Sequence, residues 1–254
     1  MANSADEKNI TSAPKFNASL SFSHDPPYDL FFAERVPILV AFQYAIANHA
    51  RARSQTGRHI WGRLGRLFNS WVPTFQAAEC GVYTGSSLIA CALMARDSFL
   101  PFRFIGLDTF SGLPPLSDKD LALAPKGARY VDSKMFVDTS EEIVQERLRQ
   151  ANLVDCVELR RGLFGETLPC LPDQRYHFVN IDCDLYEPHI ECLEYFYPRM
   201  VPGGIIFFDD YHSVEYPMAG QAIDFFMRDV PEQLMHLRFG ENGPNRTKAF
   251  LAKY

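Results

Sequence analysis

The chain has 254 residues, 47% of them hydrophobic and 22% charged, enough to bury a full core within one domain. Its formal net charge of −6 argues against a general nucleic-acid binder, which needs a basic face to neutralise phosphates, and no apolar run is long enough to span a bilayer. The six cysteines, at 80, 91, 156, 170, 183 and 192, form no Cys-x-x-Cys pair and sit mostly among apolar neighbours, so they read as reduced thiols and suggest neither zinc nor a disulfide framework.

Residues 1–23 read as a flexible polar arm rich in Ser, Asn and Ala. The arm lacks the apolar core of a signal peptide and the Arg-rich character of a transit peptide, so a cytoplasmic protein is expected. Sequons at Asn9, Asn17 and Asn245 then carry no meaning, because glycosylation needs a secretory route. Residues 24–254 form a single expected domain whose first part, 24–72, is a helical extension. Leu30, Phe31, Val36, Leu39, Val40 and Ala47 recur at helical spacing from Asp29 to Ala50, and a second helix is expected from His59 to Phe68. Arg51, Arg53, Arg58, Arg63 and Arg66 read as a solvated helix face in preference to an anion site.

From residue 73 the pattern alternates. Strands are expected at Thr74 to Cys80, Arg103 to Asp108, Cys156 to Arg160, Tyr176 to Asp182 and Ile205 to Phe208. Helices are expected at Ser86 to Arg96, up to Gln150, from Glu187 to Tyr197 before Pro198, and from about Gly220 to Arg228. Thr139-Ser140-Glu141-Glu142 reads as a capping box opening the helix that ends near Gln150. Such alternation calls for an α/β fold with a mostly parallel sheet. Leu234 to Phe239 and Lys248 to Ala252, separated by the turn-rich 241–245, add a C-terminal antiparallel hairpin and bring the sheet to seven strands. The segment 111–138 is long for a loop and holds Tyr130, Met135 and Phe136. It reads as a lid over the site or as a surface insertion.

Acids close the apolar runs. Asp182-Cys183-Asp184 and Asp209-Asp210 end two expected strands, where ligands of an open α/β sheet sit. Carboxylates gathered there repel unless a cation, a proton or a cationic ligand is present, and a hard ion such as Mg²⁺ is the simplest answer. Asp182 and Asp184, two residues apart on a strand, would share a side. At the first strand end, Glu79-Cys80-Gly81-Val82-Tyr83-Thr84-Gly85-Ser86 has glycines that would admit a ligand close to the backbone or simply make a tight turn. Its spacing is not that of a pyrophosphate loop, and Glu79 would suit an amine-bearing ligand. Asp108, ending the second strand before Thr109 and Phe110, is placed to accept from ribose hydroxyls or to cap a turn. Together these two strand ends have the layout of class I S-adenosylmethionine methyltransferases, a Rossmann-like fold.

Six motifs then follow in order: Glu79-x-Gly81-Val82-x-x-Gly85, Asp108-Thr109-Phe110-x-Gly112-Leu113-Pro114, Gly162-x-Phe164-x-x-Thr167-Leu168-Pro169, Asp182-x-Asp184-Leu185-Tyr186-Glu187, Tyr197-Pro198-x-x-x-Pro202-Gly203-Gly204 and Asp209-Asp210-Tyr211. Over roughly residues 75 to 228 the chain resembles the macrocin O-methyltransferase family, metal-dependent enzymes that methylate sugar hydroxyls of antibiotics. The resemblance implies S-adenosylmethionine bound near Glu79, Gly81, Tyr83, Gly85, Ser86, Asp108, Thr109, Phe110, Gly112, Gly162, Phe164 and Asp182. It also implies Mg²⁺ or another divalent cation on Asp182, Asp209 and Asp210, with Asp184 as the base. The expected partner is a small hydroxylated acceptor, with no nucleic acid and no membrane, and the family suggests a homodimer. Tyr211, His212 and Tyr130 are the expected acceptor contacts, and His212 is an alternative base if it is not an exposed loop residue. The stretch His212 to Met218 and the terminal hairpin depart from the family pattern, so the acceptor transfers least. A glycosyltransferase using Asp182-x-Asp184 for metal, or a cofactor-binding protein without turnover, are the competing readings.

Overall fold

The computed structural model describes residues 32–56, 74–238 and 247–254, with side chains described from 36 to 52 in the first stretch. The N-terminal arm, the helix expected at 59–68, Arg58, Arg63, Arg66, the sequons and the 241–245 turn lie outside these residues. Helix α1 spans Phe32–Thr56, and the repeating part begins with β1 (Phe75–Cys80), α2 (Ser86–Asp97) and β2 (Phe102–Asp108). Two short helices, α3 (Asp118–Leu123) and α4 (Arg129–Asp132), precede α5 (Glu141–Gln150), β3 (Val157–Arg161) and α6 (Phe164–Thr167). The chain continues through β4 (Tyr176–Ile181), α7 (Tyr186–Phe196), β5 (Met200–Phe208), α8 (Pro217–Met227), β6 (Met235–Arg238) and β7 (Thr247–Ala252).

The seven strands make one sheet in the order β3-β2-β1-β4-β5-β7-β6. The first five are parallel, and β7 runs antiparallel between β5 and β6. After β3 the chain crosses back to the other side of β1, so the loops leaving β1 and β4 diverge. That point of divergence is where an open α/β sheet leaves a crevice. β1 and β4 are buried along almost their whole length, as central parallel strands covered on both faces must be.

Successive residues supply opposite faces. Phe178, Ile205 and Phe207 pack with Phe42, Phe75 and Phe104 on the side of α1 and α2, while Val179, Ile181, Ile206 and Phe208 pack with Leu193 and Phe196 of α7 on the other. Phe42 of α1 meets Phe178 edge-on at 4.9 Å and Phe75 at 5.5 Å. Farther along α1, the Asn48 Nδ2 donates to the Gly203 carbonyl at 2.9 Å, near the start of β5. The other end of α1 therefore reaches the carboxyl end of the sheet. Strand β5 starts earlier than Ile205, because Met200 already pairs with Tyr176 before a register shift carries the chain to Ile205 opposite Phe178.

Two local expectations change. Thr139 and Glu142 do not form the capping box expected of them: Ser140 caps α5, accepting from the Ile143 amide at 3.3 Å, and the Thr139 hydroxyl donates to the Tyr83 carbonyl at 2.8 Å. Helix α5 starts one residue too late for a carboxylate to stand at its third position. The box forms instead at Ser117 and Asp120, opening α3. The 111–138 segment is thus folded and docked. Asp120 is buried, accepts from the Ser117 hydroxyl at 2.6 Å and amide at 2.9 Å, and with its other oxygen accepts the Tyr186 amide at 2.8 Å. Leu185 supplies no side-chain cap to α7, so Asp120 serves that helix from 66 residues away and places a negative charge at its N-terminus. Tyr130 stacks on Tyr216 at 4.8 Å and donates to the Glu215 carbonyl at 3.0 Å. Asp120→Ala would leave the buried Tyr186 amide and two half-buried Ser117 donors without an acceptor, at a cost of about 2–3 kcal/mol. The expected outcome is faster limited proteolysis within 111–138, read by mass spectrometry against the wild-type chain; equal cleavage rates would contradict this anchoring role.

Candidate active site

A single cavity of ≈1180 Å³ opens at the carboxyl ends of β1, β2, β4 and β5. Its walls run from Gly81, Val82, Tyr83 and Thr84, past Asp108, Thr109, Gly112, Gly162 and Phe164, to Asp182, Asp184, Asp209 and Lys248. Val36 and Pro37 of α1 and Phe136 of the docked segment also line it.

At the glycine-rich end, the need for glycine comes from the protein itself. A Cβ at Gly81, where φ is +88°, would sit 1.7 Å from the Asp182 carbonyl oxygen, and one at Gly85 would meet Val144 of α5 at 2.8 Å. The turn is pressed against β4 and α5, which holds the Val82–Thr84 backbone at the cavity wall. Asp108 fixes the same turn: one carboxylate oxygen accepts from the Val82 amide at 2.6 Å and the Tyr83 amide at 2.8 Å, the other from the Phe110 amide at 2.7 Å. The turn-capping role is therefore present, and the carboxylate retains acceptor capacity toward the cavity. Thr109 donates to the Gly112 carbonyl at 2.6 Å. The Tyr83 hydroxyl reaches the Asp138 carboxylate at 2.9 Å and its ring meets Phe136 edge-on at 5.2 Å, tying this turn to the docked segment.

Four residues expected at the cofactor do not line the cavity. Glu79 is fully buried within the sheet and accepts from Asn180 Nδ2 at 3.0 Å, so it underlies the cavity without lining it. Gly85 and Ser86 begin α2 outside the lining, with the Ser86 hydroxyl 3.2 Å from that of Thr84. Phe110 is buried in the core on the α1 and α2 side. A single strand-face assignment could not show these placements, because each depends on how neighbouring loops pack.

At the other end the acids converge. Asp182, Asp209 and Asp210 each offer a carboxylate oxygen, and these oxygens lie within 4.8 Å of one another. The Asp182 amide continues the ladder to the Cys80 carbonyl at 2.8 Å, and the Asp209 amide reaches the Ile181 carbonyl at 3.3 Å, so adjacent strand ends set the spacing. Asp184 lines the same cavity, but strand alternation is not the reason. β4 ends at Ile181, and Asp184 takes a left-handed conformation with φ of 62°, its amide donating to Asp210 Oδ2 at 3.2 Å. Burial first, then the neighbouring Asp210, Cys183 and Asp209, hold the Asp184 carboxyl well above the usual carboxylate range. Burial and Asp209 push Asp210 up to about 6 against the opposing pull of His189 and Lys248.

Lys248 was not foreseen. Its ammonium donates to Asp209 Oδ2 at 2.6 Å and to the Asp209 carbonyl at 2.8 Å. Asp209 and its fellow acids raise its pKa against the lowering effect of burial. A lone lysine in a short terminal strand carries no local signal; the antiparallel pairing of Phe208 with Ala249 is what brings it there.

The expected acceptor contacts are not brought to the cavity. Tyr211 packs on the α7 side of the core and donates to Asp224 at 2.7 Å, and Tyr130 is buried against Tyr216. His212 is exposed, with Nε2 3.1 Å from His236 Nδ1, and does not line the cavity, so the exposed-loop reading describes it. The cluster joins Asp182 with Asp209 and Asp210, an arrangement the Asp182-x-Asp184 glycosyltransferase reading does not use.

Curated relatives match in part. An 8-demethyl-8-(2,3-dimethoxy-alpha-L-rhamnosyl)-tetracenomycin-C 4'-O-methyltransferase from Streptomyces olivaceus is 30% identical over 134 residues, 52% of this chain and 51% of that one. A demethyldecarbamoylnovobiocin O-methyltransferase from Streptomyces niveus is 29% identical over 161 residues, 62% of this chain and 60% of that one. The match thus spans about half the length of the curated relatives. Among solved structures, the O-methyltransferase NovP superposes with a TM-score of 0.63 at 22% identity, covering 87% of this chain and 79% of its own. The calicheamicin methyltransferase CalS11 gives 0.52 at 19%, covering 99% of each chain. These likenesses bear on the fold, which is the Rossmann-like fold of class I methyltransferases. The family model described as macrocin-O-methyltransferase (TylF) matches residues 67–237, and the chain belongs to that family.

Proposed function

We propose that this protein is an S-adenosylmethionine-dependent O-methyltransferase that uses a divalent cation to methylate a hydroxyl of a small molecule, a sugar of a glycosylated natural product. One observation carries the reading: a single cavity joins the β1 and β2 loops to the three converging carboxylates. At ≈1180 Å³ it exceeds the space one small ligand commonly takes, leaving room for a cofactor and an acceptor side by side. The relative named as a rhamnosyl-tetracenomycin-C 4'-O-methyltransferase supports the acceptor class.

The residues present fit both groups. Tyr83, Asp108, Thr109, Gly112, Gly162 and Phe164 would hold S-adenosylmethionine along the wall they already form. Asp182, Asp209 and Asp210 offer an all-oxygen set suited to a hard ion such as Mg²⁺. Bound there, the cofactor supplies an electrophilic methyl group and the cation lowers the cost of alkoxide character on an acceptor hydroxyl.

What the chain itself does follows from its geometry. The cavity walls fix the acceptor oxygen relative to the cofactor, an orientation effect. Asp184, which lines the cavity, would take the hydroxyl proton, and a carboxyl raised by burial toward neutrality is a better base there than an exposed one. The acceptor enters beside Val36 and Pro37, because α1 brings its N-terminal end to the carboxyl end of β5. These apolar side chains exclude water from the reacting end.

Two measurements test this. Chelation with EDTA is expected to abolish methyl transfer to a hydroxylated glycoside panel, followed by a mass gain of one methylene, and Mg²⁺ to restore it; undiminished transfer in the chelated sample would remove the cation from the mechanism. Asp184→Asn is expected to lower the rate by roughly 10²- to 10⁴-fold while S-adenosylhomocysteine binding by calorimetry stays within about threefold. Full turnover in that variant would move the base to another group.

A further inference from the structure

We propose that Lys248 is the resident counter-ion of the acidic cluster and competes with the divalent cation for it, so that this lysine sets how tightly the site takes metal. The proposal rests on the metal-assisted reading above and deepens it.

Three carboxylates whose oxygens lie within 4.8 Å of one another repel unless a positive charge or a bound proton offsets them. Lys248 supplies one. Its ammonium makes a charge-assisted bond to Asp209 Oδ2 at 2.6 Å and a second bond to the Asp209 carbonyl at 2.8 Å. The two side chains are only 15% and 24% exposed, so the pair is weakly screened compared with a surface ion pair. The lysine is also held in place. It precedes Ala249, which pairs with Phe208 in the β5–β7 ladder, so its backbone is fixed beside the residue that Asp209 follows.

A divalent ion on these carboxylates would come within roughly 5 Å of the ammonium while Lys248 stays on Asp209. The two cations repel, or the lysine must give up its carboxylate oxygen. Either route weakens metal binding by about tenfold or more, since even in the dielectric of water such a repulsion is that large. The same ammonium stabilises the metal-free protein, because it relieves the repulsion that the metal would otherwise relieve.

The test is calorimetric titration of Mg²⁺ into chelator-treated wild type, Lys248→Met and Lys248→Arg, with thermal unfolding of each in EDTA and in saturating Mg²⁺. Lys248→Met is expected to bind Mg²⁺ at least about tenfold more tightly than wild type, to melt lower than wild type in EDTA, and to gain more from Mg²⁺. Lys248→Arg, which keeps the charge, is expected to stay within about threefold of wild type. Equal or weaker binding by Lys248→Met, with wild type still binding, overturns the proposal and leaves the metal-assisted reading intact. Binding by neither protein overturns both. Should Lys248→Met fold only with Mg²⁺ present, the proposal is supported; should it fold in neither condition, Lys248→Gln carries the same comparison with the same outcomes.

Discussion

Mutual repulsion among carboxylates at the ends of β4 and β5 is the constraint on which the rest of this site depends. Asp182, Asp209 and Asp210 come together because two adjacent parallel strands stop at the same level, and hydrogen bonds continue the ladder into both acidic turns. Such a gathering raises the free energy of the empty site. The chain answers it in part with Lys248 and in part by holding protons more tightly on Asp184 and Asp210. A bound cation would complete the balance, and the same imbalance that makes the site costly to fold makes it receptive.

The end of the cavity at the β1 and β2 loops is arranged on a different principle. Its loop is kept close to the cavity by contacts that leave no room for side chains at Gly81 and Gly85, and by an acid, Asp108, that accepts three backbone amides. Over this end lies a segment docked through Asp120, Tyr130 and the Tyr83–Asp138 contact. The backbone of the β1 loop is therefore held at the cavity wall by packing and by Asp108. Val36 and Pro37 of α1 and Lys248 of β7 also line the cavity, from elements outside the alternating part of the chain. Substrate choice in such a fold can change by altering those additions while the loops of β1 and β2 stay as they are.

Much was legible in the chain before folding. Short apolar runs closed by acids located the strand ends, because a buried strand must be apolar and its exit into solvent need not be. The seven strands, the direction of the terminal hairpin and the convergence of Asp182 with Asp209 and Asp210 follow from that pattern together with the rule that parallel crossovers are right-handed. Local spacing does not show how the residues between them pack. It placed Glu79 at the cofactor, whereas strand packing buries it against Asn180. It likewise placed Tyr211, His212 and Tyr130 at the acceptor, whereas aromatic and histidine partners hold them aside.

What the sequence by itself determined is the set of groups that chemistry requires at the strand ends, since residue type and periodicity are properties of neighbours along the chain. What only the tertiary structure decided is which distant groups answer them. Lys248 reaches Asp209 across 39 positions, and Asp120 caps α7 across 66. Contacts of that kind arise from sheet register and loop docking, which depend on the whole chain being folded, so no window of residues around Lys248 or Asp120 contains them.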